Sequence, residues 1–383
     1  QIMPPIMGAA AFLMIEFAGV SYWEIAKAAI IPAILYFSGI WIMTHFEAKR
    51  LGLLGLSEEQ IPRKSVVFKK IHLLLPIIAI IVLLFQGFSI SRTALYGIAI
   101  TIIVSLFRKD TNLFIDGEGF SVRKFLLALT NGARTALGVA AATACAGIIV
   151  GVVTKTGLGL KLGNSLVSIA GTIASSTSAQ LMLTLVFTMI TSIILGMGSP
   201  TTANYIITST IALPAIVALN GELEVAIPVL AAHMFVFYFG IVADITPPVA
   251  LAAFAATGIS GGEPIRTGVN ASKLAIAAFI IPYMFVLQPQ LLMIDTTPLE
   301  IGRALVTAMF GMIAIGAAMI GFWYRKINWV LRIIALIAGL LLIYPEGYSD
   351  MIGLVIFVIL VIYQWIVNRH HDSGSPFKQQ AQA

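Results

Sequence analysis

Apolar runs long enough to cross a bilayer recur along this chain, among them those near residues 136 to 153, 272 to 293 and 303 to 322. They constrain the fold more than any other feature. In lipid a backbone must satisfy its own hydrogen bonds, which restricts spanning elements to helices or closed barrels, and runs of this length are helical. Composition agrees, with 59% hydrophobic and only 10% charged residues among 383, too few charges to cover a soluble surface. The expected fold class is therefore all-α, a polytopic membrane protein.

The charges lie in a few hydrophilic stretches, so the net +6 reads as membrane topology rather than as a nucleic-acid footprint. Lys49, Arg50, Arg63, Lys64, Lys69 and Lys70 place the loop after the first long span in the cytoplasm. Spans near 72 to 88 and 92 to 107 return the chain to a second basic stretch, from Arg108 to Arg134. Within it, Phe120 to Thr135 alternates apolar and basic residues and reads as an interfacial arm. Arg325, Lys326 and Arg332 mark another cytoplasmic turn, Pro345 to Asp350 an external one, and Arg369 to Ala383 a polar, disordered cytoplasmic tail. Cys145 is the single cysteine, which excludes an internal disulfide. The chain opens on Gln1 with no basic segment of a signal peptide, and reads as a piece of a longer one.

The pattern Ile-x-Pro-Pro occurs twice in apolar surroundings, at Ile2-Met3-Pro4-Pro5 and at Ile245-Thr246-Pro247-Pro248. Two prolines at membrane depth break a helix. Each pair is followed by an Ala-rich half-helix, a polar interval, and a span with its own proline, Pro32 or Pro282. The offset is 243 residues between the Pro-Pro pairs and 250 between Pro32 and Pro282, so about seven extra residues are expected in the second interval, as a loop difference. Charge parity orients the two copies oppositely. Inverted repeats with broken helices form the midplane sites of many secondary transporters.

Between apolar runs upstream of the second break lies Gly196-Met197-Gly198-Ser199-Pro200-Thr201-Thr202-Ala203-Asn204-Tyr205. So polar a segment must be buried in protein or line a cavity, and it reads as the tip of a re-entrant hairpin. The helix beginning after Pro200 presents N–H groups suited to a substrate carboxylate. Turn carbonyls from Gly196 onward, the hydroxyls of Ser199, Thr201 and Thr202, and the Asn204 amide offer hard oxygen ligands for Na⁺. Asp244 is the only acid between Glu224 and Glu263, an intramembrane carboxylate with a cation or proton role by default. The bland reading of Asp244 is a carboxylate satisfied by nearby backbone N–H groups. For His233 a packed hydrogen-bonding role is preferred to a coupling role.

The string GMGSPTTANY followed by AAHMFVFYFGIVADITPPVALAAFAATGISG, with the opening QIMPPIMGAAAF and FEAKRLGL, resembles the permease of tripartite ATP-independent periplasmic (TRAP) transporters over most of residues 1 to 295. The likeness is to the fused membrane component of the TAXI branch. It implies an elevator-type secondary carrier that imports an organic carboxylate handed over by a periplasmic solute-binding protein and driven by Na⁺, or H⁺, with no enzymatic activity and no further cofactor. The implied partners are that binding protein, a small membrane subunit fused in the full-length chain, and the lipid bilayer of a bacterial or archaeal inner membrane, without nucleic acid. By position, Gly198, Ser199, Thr201, Thr202, Pro4, Pro5, Pro247 and Pro248 are expected at the substrate, and Gly196, Gly198, Asn204, Asp244, Thr246 and Gln1 at the cation. The family's first hairpin should precede Gln1, so the chain is expected to be the C-terminal portion of a permease.

The expected division is a first-repeat remnant at 1–46, a basic loop at 47–71, a helical hairpin with the interfacial arm at 72–135, the second repeat at 136–295, a three-span extension at 296–368 and the tail at 369–383. A carrier of the dicarboxylate or ion-transporter type, independent of a binding protein, is the alternative. An aspartyl protease lacks a second aspartate at membrane depth, and a metal enzyme lacks clustered His, Cys or acids.

Overall fold

The computed structural model describes residues 1–383 except 5–6, 54, 56–60, 62–67, 69–70, 87, 107–114, 117–118, 121, 175, 221–222, 224–225, 345–346 and 373–383. Most of the basic loop, including Arg63, Lys64, Lys69 and Lys70, thus lies outside the described residues, as do Pro5 and the end of the tail.

The chain is nearly all helical. The helices are α1 (Ala9–Ala18), α2 (Tyr22–Leu51), α3 (Leu75–Phe85), α4 (Ile90–Ser105), α5 (Arg123–Thr156), α6 (Leu158–Ile173), α7 (Thr177–Gly196), α8 (Thr201–Ile211) and α9 (Leu213–Leu219). They continue as α10 (Val229–Val242), α11 (Leu251–Ser260), α12 (Pro264–Leu274), α13 (Ile276–Leu287), α14 (Pro298–Ile320), α15 (Trp329–Leu341) and α16 (Gly347–Asp372). A two-residue antiparallel pair, Ile115–Asp116 with Gly119–Phe120, interrupts them. Among the described residues, six helical stretches are long and apolar enough to cross a membrane: Tyr22–Leu51, Thr177–Gly196, Thr201–Leu219, Pro264–Leu287, Pro298–Ile320 and Gly347–Val367.

Several boundaries differ from the sequence reading for local reasons. The segment read as an interfacial arm joins the span after it in one 34-residue helix, α5, which no Pro interrupts. In the extension, α15 is only 13 residues long, well short of an upright crossing. Helix α10 starts at Val229, with Pro228 at its N-cap, where a helix interior would not tolerate it. Helix α16 carries on into the tail as far as Asp372.

The core forms around α10, which is buried on all sides, as expected for a helix apolar all round. Phe235 and Phe239 meet Tyr283 of α13 edge to face, and Tyr238 meets Phe285 in the same way. Helix α2 crosses α13 so closely that a Cβ on Gly39 would stand 2.6 Å from the Cβ of Ala277. A second cluster joins the C-terminal end of α2 (Ile42, Met43, Phe46) to α14, α15 and α16. Small residues let these helices approach: a Cβ on Gly339 of α15 would meet the Gly311 carbonyl of α14 at 2.9 Å.

Candidate functional site

The described residues on either side of the two Pro-Pro segments share one pattern. A backbone hydrogen bond closes each turn, from Met7 N–H to the Met3 carbonyl (3.0 Å) and from Ala250 N–H to the Thr246 carbonyl (3.1 Å). A positive-φ residue then introduces a ten-residue helix: Gly8 (φ 70) before α1, Ala250 (φ 38) before α11. Each half-helix ends on a left-handed glycine, Gly19 or Gly261, the conformation that terminates helices at lowest steric cost. Two residues later each following helix is capped by a side chain. Ser21 and Glu24 form a reciprocal capping box, and the Glu263 carboxylate accepts from the N–H groups of Ile265 and Arg266. The duplication is therefore present in backbone geometry, not only in a short sequence match.

The polar interval has the same length in both units, which corrects the loop expectation. The extra residues before the second proline are helical and form α12. It turns back on the break: the Ser272 hydroxyl donates to the Ile245 carbonyl at 2.7 Å, and Gly268 lies where a Cβ would touch Pro247 and Ala250 at 3.2 Å.

Helix α7, the turn Met197–Pro200 and helices α8 and α9 make the expected hairpin, with Gly198 at φ 72 in the tip. Its arms are 20 and 19 residues long, so length alone admits a full crossing as well as a re-entrant path. The tip seats against α10 through three residues without space between them. A Cβ on Gly196 would run into the Gly240 carbonyl, and one on Gly240 would run into the Asn204 amide. Asn204 is 1% exposed, and its Oδ1 has no hydrogen-bond partner among the described residues. An unpaired buried carbonyl oxygen is costly and suits a cation ligand. Gly198 is exposed at the tip, while Ser199, Thr201 and Thr202 are half-buried. No side chain caps the start of α8, which leaves its first N–H groups to an external acceptor.

At the second break, Asp244 sits in a 3-10 turn, Ala243–Ile245, half-buried. Its carboxylate makes no hydrogen bond or ion pair among the described residues, contrary to the bland reading in which backbone N–H groups satisfy it. Thr246 Oγ1 donates to the Val242 carbonyl at 2.7 Å, closing the end of α10. Pro247 packs under α12, Pro248 is exposed, and Pro4 is buried in the first break.

Asp244 and Gln1, equivalent positions of the two units, line one cavity of 290 Å³ together with Tyr36, Tyr238 and Ala278. The Tyr238 hydroxyl also donates to the Ile2 carbonyl at 3.3 Å, tying α10 to the first break across 236 residues of chain. Ser199, Thr201 and Thr202 lie outside this cavity's lining, so the hairpin tip and the cavity flank α10 as separate groups of residues. His233 accepts or donates at Nδ1 to the Tyr205 hydroxyl (2.8 Å), the packed role preferred from sequence.

Sequence reasoning missed Gly240, Tyr238 and Ser272. A glycine inside the otherwise bulky run Met234 to Val242 is a signal of close backbone approach that was available. It also missed Thr184, Thr188 and Ser192, a four-residue-spaced stripe of buried hydroxyls on α7 without partners among the described residues.

A family model described as "Tripartite ATP-independent periplasmic transporter, DctM component" matches residues 1–299. Comparison with curated proteins and with solved structures gave no match. The duplicated broken helices, the glycine-tipped hairpin and this match lead to one assignment: the chain belongs to the DctM family, the membrane permease component of TRAP transporters.

Proposed function

We propose that this chain forms the permease body of a cation-coupled secondary transporter of the TAXI branch, importing an organic carboxylate delivered by a periplasmic solute-binding protein. The observation that carries the proposal is the cavity shared by Asp244 and Gln1, with an unpaired carboxylate at a helix break. An acid at such a position binds a monovalent cation or a proton, because it lacks internal partners and borders the half-helix ends. Asn204 Oδ1, the turn carbonyls beginning at Gly196, and Thr246 supply neutral oxygens for Na⁺. The uncapped first turn of α8, with Ser199, Thr201 and Thr202, receives the substrate carboxylate.

The two break units act as inverted repeats in an elevator-type movement, in the inner membrane of a bacterium or archaeon. A small membrane subunit completes the assembly. The test is substrate uptake by the full-length permease in proteoliposomes, with and without its binding protein, under separately imposed Na⁺ and pH gradients. Uptake that needs both the binding protein and the Na⁺ gradient is expected. Uptake without the binding protein would reassign the chain to the binding-protein-independent carriers, and uptake driven by pH alone would replace Na⁺ by H⁺.

A further inference from the structure

At one end of the bundle, beyond the family match, α14 stops at Gly321 and the chain makes a tight turn before α15. Phe322 pairs with Lys326 in an antiparallel bridge, and Ile327 N–H donates to the Gly321 carbonyl at 2.9 Å. This turn and the last turns of α16 enclose a 460 Å³ cavity whose polar lining is Tyr324, Arg325, Lys326, Asn328, Tyr363 and Gln364. Its volume is that of a small-molecule site.

Three observations define what fits. First, Arg325 and Lys326 form no ion pair among the described residues, and no acidic residue lines the cavity. The negative helix end of α14 does not offset them, because Arg332 caps it, donating to the carbonyls of Ala318 (2.6 Å) and Met319 (3.0 Å). Second, Gln364 is 3% exposed, lines the cavity and holds a buried Oε1 without a hydrogen-bond partner among the described residues. A hydroxyl donor on the ligand would satisfy it. Third, the surface around the cavity has the residue pattern of a headgroup-depth site. Trp329 and Trp365 flank it as exposed aromatics, and exposed Val330, Ile333, Ile359 and Ile362 extend from it along α15 and α16 as a lipid-facing surface. By the positive-inside reading of Arg325, Lys326 and Arg332, this end is expected at the cytoplasmic leaflet, which carries anionic lipid.

We propose that this cavity binds an anionic phospholipid, its phosphodiester held by Arg325 and Lys326 and a headgroup hydroxyl donated to Gln364 Oε1. Phosphatidylglycerol has both groups.

The full chain is purified into nanodiscs, and lipid retained after extraction is measured by native mass spectrometry. Phosphatidylglycerol is expected to be retained about tenfold over phosphatidylcholine, and Arg325→Gln with Lys326→Gln to erase that preference. Gln364→Leu is expected to keep the preference over phosphatidylcholine while equalising phosphatidylglycerol and phosphatidylmethanol, which keeps the phosphodiester and lacks the hydroxyl. Equal retention of phosphatidylglycerol and phosphatidylcholine by the unaltered chain overturns the proposal, with no variant needed. So does an undiminished preference in the double variant, an unchanged phosphatidylglycerol to phosphatidylmethanol ratio in Gln364→Leu, or displacement of the lipid by inorganic phosphate, which marks a free-phosphate site.

Discussion

The first break unit, from Gln1 to the end of α2, and the second, from Asp244 to the end of α13, share one backbone plan and differ in chemistry. Closing hydrogen bond, positive-φ entrance, ten-residue half-helix, left-handed glycine and side-chain cap recur in the same order. The first unit then runs on as a continuous 30-residue helix and carries the neutral Gln1 at its break. The second carries Asp244 and folds α12 back to brace the broken segment through Gly268 and Ser272. Unwound backbone is thus the common element, whereas charge and bracing belong to one side only. This asymmetry suits the coupled site proposed above, since an acid held without partners has to be kept in place by something other than its own bonds.

The sharpest way to break the comparison is to remove the charge that distinguishes the units. Asp244→Asn is expected to reduce cation-driven uptake in proteoliposomes by about a hundredfold, roughly 3 kcal/mol in rate terms, while the purified protein stays monodisperse. Undiminished uptake would leave the two breaks chemically equivalent. Gln1→Ala, by contrast, is expected to leave the Na⁺ requirement in place.

Next in size is the contact between hairpin and α10. Gly240→Ala puts a methyl group into the Asn204 amide and is expected to lower thermal stability by about 1–3 kcal/mol, read from a denaturant melt in detergent. A variant as stable as the parent would show that the tip does not seat there. Asn204→Ala and Thr246→Ala are expected to raise the half-saturating Na⁺ concentration several-fold, about 1 kcal/mol each, with substrate selectivity little changed. An unaltered Na⁺ response in both would remove them from the cation site.

The smallest effects compare the bracing. Ser272→Ala loses the hydrogen bond to the Ile245 carbonyl, and Ser21→Ala loses a capping box; each is expected to cost about 1 kcal/mol of stability. Only Ser272→Ala is expected to slow transport as well, because Ser21 does not touch a break. Equal effects on transport would mean that α12 is scaffold rather than brace.

Much of this was readable from residues alone, because Pro-Pro, Gly-rich and lone-acid signals act locally: they break a backbone or strand a charge wherever they sit in lipid. The broken helix, the half-helices and the glycine-tipped hairpin followed from such signals. What escaped depended on contacts between distant segments. No local pattern announces that Gly240 faces Asn204, or that Tyr238 reaches Ile2. The helical nature of 264–274 escaped for another reason: its charged and small residues resemble a loop until Glu263 is recognised as a cap and Pro264 as a first-turn proline.

The crossing of α2 and α13 has a mechanical consequence. With Gly39 against Ala277 and nothing larger between them, the two helices touch at nearly bare backbone. Sliding along either axis would drive the neighbouring Tyr36 or Ile281 into that gap, whereas swivelling about it leaves the contact intact. In the movement proposed above this point serves as a fulcrum, and Gly39→Val is expected to jam the pivot while sparing the residues proposed to hold cargo.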